Sequence, residues 1–116
     1  MSGSLNSFKV SEHFNLKEFE CPCCKRIMLE PHLVVCIEAL RIAVKSKIIV
    51  NSGYRCPLHN LRIGGVSTSR HMIGQAADLS IKGSSPEKTL DLINKLGFQY
   101  SYYKADGDYY HVQIKI

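Results

Sequence analysis

Ser69-Arg-His-Met-Ile-Gly-Gln-Ala-Ala-Asp78 runs straight into Leu79-Ser-Ile-Lys82, and the reading of this stretch decides the fold. His71 and Asp78 stand seven residues apart with Gly74 between them, the spacing of a loop that folds back into a strand. From residue 76 to 82 the side chains alternate. Ala77, Leu79 and Ile81 take one face of the expected strand, and Asp78, Ser80 and Lys82 the other.

The same alternation recurs along the chain. In residues 109–116, Tyr110, Val112, Ile114 and Ile116 oppose His111, Gln113 and Lys115. In residues 47–54, rich in β-branched side chains, Ile48 and Val50 oppose Asn51, Gly53 and, just past the exit, Arg55. A further strand is expected over residues 98–104, joined to the last by the turn Ala105-Asp-Gly-Asp108. Each strand thus has an apolar face for helices and a polar face. Asp78, His111 and Arg55 fall on the polar side.

Two helices supply the cover. The first opens at Glu30-Pro31, carries Leu33, Val34, Ile37, Leu40 and Val44 at helical spacing, and ends near residues 45–46. The second has Ser85 as N-cap, Pro86 at its first position and Gly97 as its stop. Residues 56–69, with Pro57 and the Gly64-Gly65 pair, read as mostly loop. The expected class is α+β: a small, mainly antiparallel sheet with helices packed on one face. Residues 1–9 read as a flexible leader and residues 10–116 as one domain, in which Phe14, Leu16 and Phe19 dock an N-terminal segment on the core.

Composition narrows the function classes. Of the 116 residues, 45% are hydrophobic and 22% charged, and no apolar run approaches the roughly 20 residues of a membrane span. The net charge of +5 is scattered over the chain, which argues against nucleic acid as partner. The N-terminus lacks the pattern of a signal peptide, and a monomer is expected. Five cysteines cannot all pair within the chain, so reduced thiols are expected. Cys21-Pro-Cys-Cys24 contains a C-x-x-C spacing, for which His13, His32, Cys36 and Cys56 are the only completing candidates; small buried thiols are the simpler reading.

Two histidines and a carboxylate on one polar sheet face make His71, Asp78 and His111 a candidate zinc set with an open position. A hydrolytic site also needs a proton acceptor. Asp108 lies three residues before His111, so on a regular strand the two would face opposite ways. The pair works only if Asp108 still belongs to the turn, and Asp106 is its competitor. Arg55 has the geometry to bind a substrate carboxylate or steady a developing oxyanion, and Ser69 to donate a hydrogen bond. Plain turn, packing and capping roles are their alternatives.

The pattern Ser69-x-His71-x-x-Gly74-x-Ala76-x-Asp78 resembles the signature of the zinc D-alanyl-D-alanine carboxypeptidase family. That family includes L-alanyl-D-glutamate endopeptidases of phage lysins and shares its fold with the hedgehog signalling domain. The resemblance extends to Ser52-Gly-Tyr-Arg55, Pro57, Asn60, Gly64-Gly65 and His111, and covers about residues 10–116. It implies one Zn2+ per chain on His71, Asp78 and His111, Asp108 as the catalytic acidic residue, Arg55 as the catalytic and substrate-binding arginine, and Ser69 beside the metal. It also implies attack of zinc-activated water on a peptide bond of a peptidoglycan stem peptide. Gln113 and Asp106 depart from the pattern of many relatives. A catalytically inactive zinc module on the cell wall or in a phage particle is the alternative. Without a signal peptide, such an enzyme is expected to stay cytoplasmic until released to the wall, as a phage lysin is, or to travel with the virion.

Overall fold

Proline starts each of the three α-helices among the described residues, at the position where its missing N–H would have had no partner. In the computed structural model, which describes residues 8–115, α1 spans Pro31–Val44, α2 Pro57–Arg62 and α3 Pro86–Lys95. Lys45 closes α1 in the left-handed conformation, and the Ser85 hydroxyl caps α3 by accepting from the Lys88 N–H at 3.3 Å. Helix α2 corrects the expected loop over residues 56–69. Six residues are too few to show a helical period, and its N-cap is Cys56, whose sulfur accepts from the His59 N–H.

The strands are β1 (Ile48–Ser52), β2 (Ala76–Ile81), β3 (Tyr100–Lys104) and β4 (Tyr109–Gln113). They form one antiparallel sheet in the order β1-β2-β4-β3. The parity argument holds at the centre, where Asp78 lies directly opposite His111 and Leu79 opposite Tyr110. Leu79, Tyr110 and Val112 join Leu33, Ile37 and Leu40 of α1 and Ile93 of α3 in a single core. Each such side chain withdrawn from water contributes about 1.5–3 kcal/mol.

Strand β2 is buried on both faces, because the segment after α2 crosses the polar face while α1 and α3 cover the apolar one. β1 departs from regular alternation. Val50 pairs with Leu79 and Ser52 with Asp78, so one residue is bulged out between them. The bulge brings Ser52 to the Asp78 side before the strand ends.

The N-terminal segment docks as expected. Phe14 and Phe19 are fully buried, and a 3-10 turn at Leu16–Phe19 is held by a reciprocal capping box between Asn15 and Glu18. The first seven residues of the expected leader lie outside the described residues. Phe8 and Lys9 already belong to the fold: the Phe8 carbonyl accepts from the Leu16 N–H, and Lys9 bridges to Asn15. Gly53 is required where this segment crosses the end of β1, since a Cβ there would lie 2.6 Å from the Phe19 Cα. Beyond Phe19 the chain turns tightly, the Lys25 N–H donating to the Cys21 carbonyl at 2.8 Å, with Lys25 at φ 62°. Burial pushes the Cys21 thiol up, but the backbone N–H groups of Cys56, Cys24 and Cys23 outweigh it and bring the thiol down to about 7. No described helix is long and apolar enough to cross a membrane.

Candidate metal centre

His71 lies in a 3-10 turn, Arg70–Ile73, which follows Ser69 and stops at Gly74 in the left-handed conformation. Gly74 also passes against the Met28 carbonyl, where no side chain fits. The turn buries the imidazole to 2% exposure. Its Nδ1 donates to the Gly53 carbonyl at 2.8 Å, which fixes the tautomer and leaves Nε2 as a bare lone pair. Nε2 lies 3.3 Å from Asp78 Oδ1, is fully buried and has no hydrogen-bond partner. A lone pair held against a carboxylate oxygen is unfavourable unless a cation sits between them.

His111 reaches the same oxygen from β4, its Nδ1 3.0 Å from Asp78 Oδ1. Its Nε2 lies 2.8 Å from the Gln113 side-chain carbonyl. A neutral ring has one proton to give. With a cation on Nδ1, that proton belongs on Nε2, donated to Gln113, the usual arrangement of a metal-bound histidine. One donor atom from each of His71, Asp78 and His111 lies within 4.8 Å of the others. Two nitrogens and a carboxylate at this spacing fit zinc.

Asp78 is the hub. Burial alone would raise its carboxyl, but the imidazoles of His111 and His71 directly beside it hold it well below the usual carboxylate range. Its second oxygen accepts from Arg55 Nη2 at 3.1 Å. Arg55, beyond the end of β1, also donates from Nε to Ser52 Oγ at 3.1 Å and from Nη1 to Asn60 Oδ1 at 3.5 Å. The β1 bulge and α2 thus aim the guanidinium at the centre. Ser69 lines the same cavity while its Oγ accepts from the His71 N–H at 3.2 Å, a capping role that leaves the hydroxyl hydrogen to donate.

These side chains line an open cavity of about 560 Å³, together with Gly64, Gly65, Val66, Tyr100 and Tyr102. A slightly larger apolar groove, about 610 Å³, lies between the N-terminal segment and α1 and has no metal-binding set.

The structure does not bring Asp108 into this cavity. The residue sits in the β3–β4 turn, outside regular strand, with φ 49°. Its Oδ1 accepts from the Tyr103 hydroxyl at 2.7 Å, and Tyr103 pairs with core-facing Tyr110, on the opposite sheet face from His111. Asp106 is an exposed residue of the same turn.

Two contributors were given no role from the sequence. Gln113 shares a strand face with His111, as parity placed it, and holds the ring by the hydrogen bond to Nε2. Tyr102 pairs across strands with His111 and stacks on its ring, with centroids 4.9 Å apart and planes 14° from parallel. Burial, then the neighbouring Tyr109 and Asp78, pushes its hydroxyl up to about 12, so it remains a proton donor at neutral pH.

A stretch of 44 residues, 37% of the chain, is 50% identical to the zinc D-Ala-D-Ala carboxypeptidase of Streptomyces albus G. That match spans only 17% of the carboxypeptidase's length. The fold matches that of the L-Ala D-Glu endopeptidase ChiX of Serratia marcescens, with a TM-score of 0.54 at 18% identity over 75% of this chain and 80% of the other. The family model described as peptidase M15 matches residues 8–113, nearly the entire chain, and the chain therefore belongs to the peptidase M15 family.

Proposed function

We propose that the protein is a zinc-dependent peptidase that hydrolyses a peptide bond in peptidoglycan stem peptides, as a carboxypeptidase or an endopeptidase. One observation carries the reading: the buried, unpartnered Nε2 of His71, facing the oxygen that His111 also faces, in an open cavity. The names of the similar carboxypeptidase and endopeptidase supply the substrate class.

His71 Nε2, Asp78 and His111 Nδ1 would hold the zinc. Bound there, the ion supplies the polarisation that lets water act as a nucleophile near neutral pH. The other roles belong to the chain. Arg55, anchored on Ser52, Asn60 and Asp78, keeps donor hydrogens over for a substrate carboxylate or for charge developing on the scissile carbonyl. Ser69 donates its free hydroxyl hydrogen to the bound peptide. Asp108 takes the proton from the attacking water and passes it to the leaving amine. For that it must let go of Tyr103 and turn toward the cavity.

A second reading keeps the metal without the catalysis: a zinc-containing module that binds the cell wall. The hydrogen bond that holds Asp108 away from the cavity favours it. Incubation with purified peptidoglycan, followed by mass spectrometry of the released fragments, decides between the two. The peptidase reading expects new termini at a single type of stem-peptide bond, absent with His71→Ala, whose protein also holds one zinc fewer per chain. Unchanged peptidoglycan with zinc-loaded protein would leave only the binding module.

A further inference from the structure

The second cluster of soft ligands lies where the N-terminal segment meets the start of α2. Cys21, Cys24 and Cys56 place their sulfurs within 4.8 Å of one another, although Cys56 is 35 residues from Cys21 in sequence. From this convergence we infer a second, structural metal site in which the thiolates of Cys21, Cys24 and Cys56 bind zinc or a similar soft divalent cation.

Both contributing turns are shaped for the task. Each begins Cys-Pro, at Cys21-Pro22 and Cys56-Pro57, and a backbone N–H is directed at the first sulfur of each. Cys21 Sγ accepts from the Cys56 N–H at 3.4 Å. Cys56 Sγ accepts from the His59 N–H at 3.4 Å. Amide groups directed at sulfur stabilise the charged form that a metal requires. Lys25 takes its left-handed conformation directly after Cys24, which lets the chain double back so that Cys21 and Cys24 face the same point. Zn–S bonds of about 2.3 Å place tetrahedral sulfurs about 3.8 Å apart, within reach of the present spacing.

Other uses of these thiols fit less well. All five cysteines are free, and a trio can form only one disulfide, leaving a thiol stranded beside it. The other completing candidates are engaged elsewhere: His13 with Glu38, and His32 with Cys36 at 3.7 Å. Cys23 stands outside the trio, its sulfur accepting from Arg62 Nη1 at 3.9 Å. A metal here would join the N-terminal segment to the residue that follows Arg55, and so brace the guanidinium that reaches Asp78.

Cobalt(II) substitution reads this site separately from the first, because only thiolate ligands give intense near-ultraviolet charge-transfer absorption and the His71–Asp78–His111 set has none. The full chain, stripped by a chelator under reducing conditions and reloaded with cobalt, should show that absorption. It should persist in His71→Ala and fall by more than half in Cys24→Ser, a substitution at an exposed residue. Zinc content should be about two per chain in the wild type and about one in either variant. A wild-type cobalt protein without the absorption, while all five thiols titrate as reduced, overturns the proposal whatever the variants do. So does a disulfide within the trio in protein isolated under non-reducing conditions with its thiols trapped at lysis. Loss of hydrolysis in His71→Ala bears only on the first site.

Discussion

Two aspartates thirty residues apart show how differently this fold treats its carboxyl groups. Asp78 is in mid-strand, buried, and met from three sides by His71, His111 and Arg55. Asp108 is in an exposed turn with a tyrosine hydroxyl as its hydrogen-bond partner. The first is held where a ligand is needed, its position set by cross-strand register and by neighbours that are themselves fixed. The second is free to change partners at the loss of one hydrogen bond on the surface, on the order of 1 kcal/mol. A metal ligand gains from being immobile, whereas a group that must collect a proton on one side of a substrate and deliver it on the other gains from being able to move.

The harshest test of this contrast is Asp108→Asn. If the turn residue is the proton acceptor, hydrolysis should fall by about 10²- to 10⁴-fold, while zinc content and thermal midpoint stay at wild-type values. Hydrolysis unchanged in that variant would reduce Asp108 to a turn residue and move the search to Asp106. Next in size is Gln113→Ala. Without its carbonyl, the His111 ring loses the acceptor that fixes its tautomer, and zinc affinity or activity should drop by about 10- to 100-fold. Equilibrium dialysis against a competing chelator separates the affinity loss from any change in turnover. An unchanged zinc affinity would show that Gln113 does not hold the ring.

How much of this contrast was legible before the structure follows from what each residue depends on. The pairing of Asp78 with His111 needed only strand alternation and a register that buries Leu79 against Tyr110. The His71 turn was marked by Gly74 and by the family signature. Other features depended on contacts that no local pattern records. α2 is too short for periodicity. The bulge that brings Ser52 beside Asp78 breaks the alternation used to find the strand. The direction of the Asp108 side chain is decided by Tyr103, five residues away on the neighbouring strand. Cys56 joins Cys21 and Cys24 only because Gly53 lets the N-terminal segment cross the end of β1.

A third carboxyl serves as a control, since being held is not by itself a sign of chemistry. Glu38 on α1 accepts from the Ser11 hydroxyl at 2.6 Å, from the His13 N–H at 2.8 Å and from the His13 ring. Burial raises its carboxyl, but these hydrogen bonds outweigh it and leave it below its ordinary value of 4.5. A carboxyl lowered in the folded state contributes stability that is complete above its unfolded value and disappears as the pH falls through the folded one. Wild-type protein should therefore lose stability below about pH 4.5, and Glu38→Gln should lose less over that range, by on the order of 1 kcal/mol. Hydrolysis near neutral pH should be unaffected. Denaturant midpoints between pH 3 and 7, about the span in which carboxylates titrate, check the first expectation. A variant curve parallel to wild type would show that Glu38 is not specially held.

The smallest effect is the most informative about motion. Tyr103→Phe keeps the ring, which packs against Tyr110 with centroids 4.8 Å apart, and removes only the hydroxyl that holds Asp108. The hydrogen bond also raises the Tyr103 hydroxyl above its ordinary value, so the phenol is the donor and the aspartate the acceptor throughout the neutral range. If release from Tyr103 precedes catalysis, the variant should hydrolyse peptidoglycan as fast as wild type or up to a fewfold faster, with stability lower by at most about 1 kcal/mol. If Tyr103 instead positions Asp108 for the reaction, the variant should be slower, and adding Tyr103→Phe to Asp108→Asn should cost nothing further. The double-mutant comparison turns on direction rather than size, because removing the hydroxyl can speed the reaction only if the bond it makes in the resting fold is one that the reaction has to break.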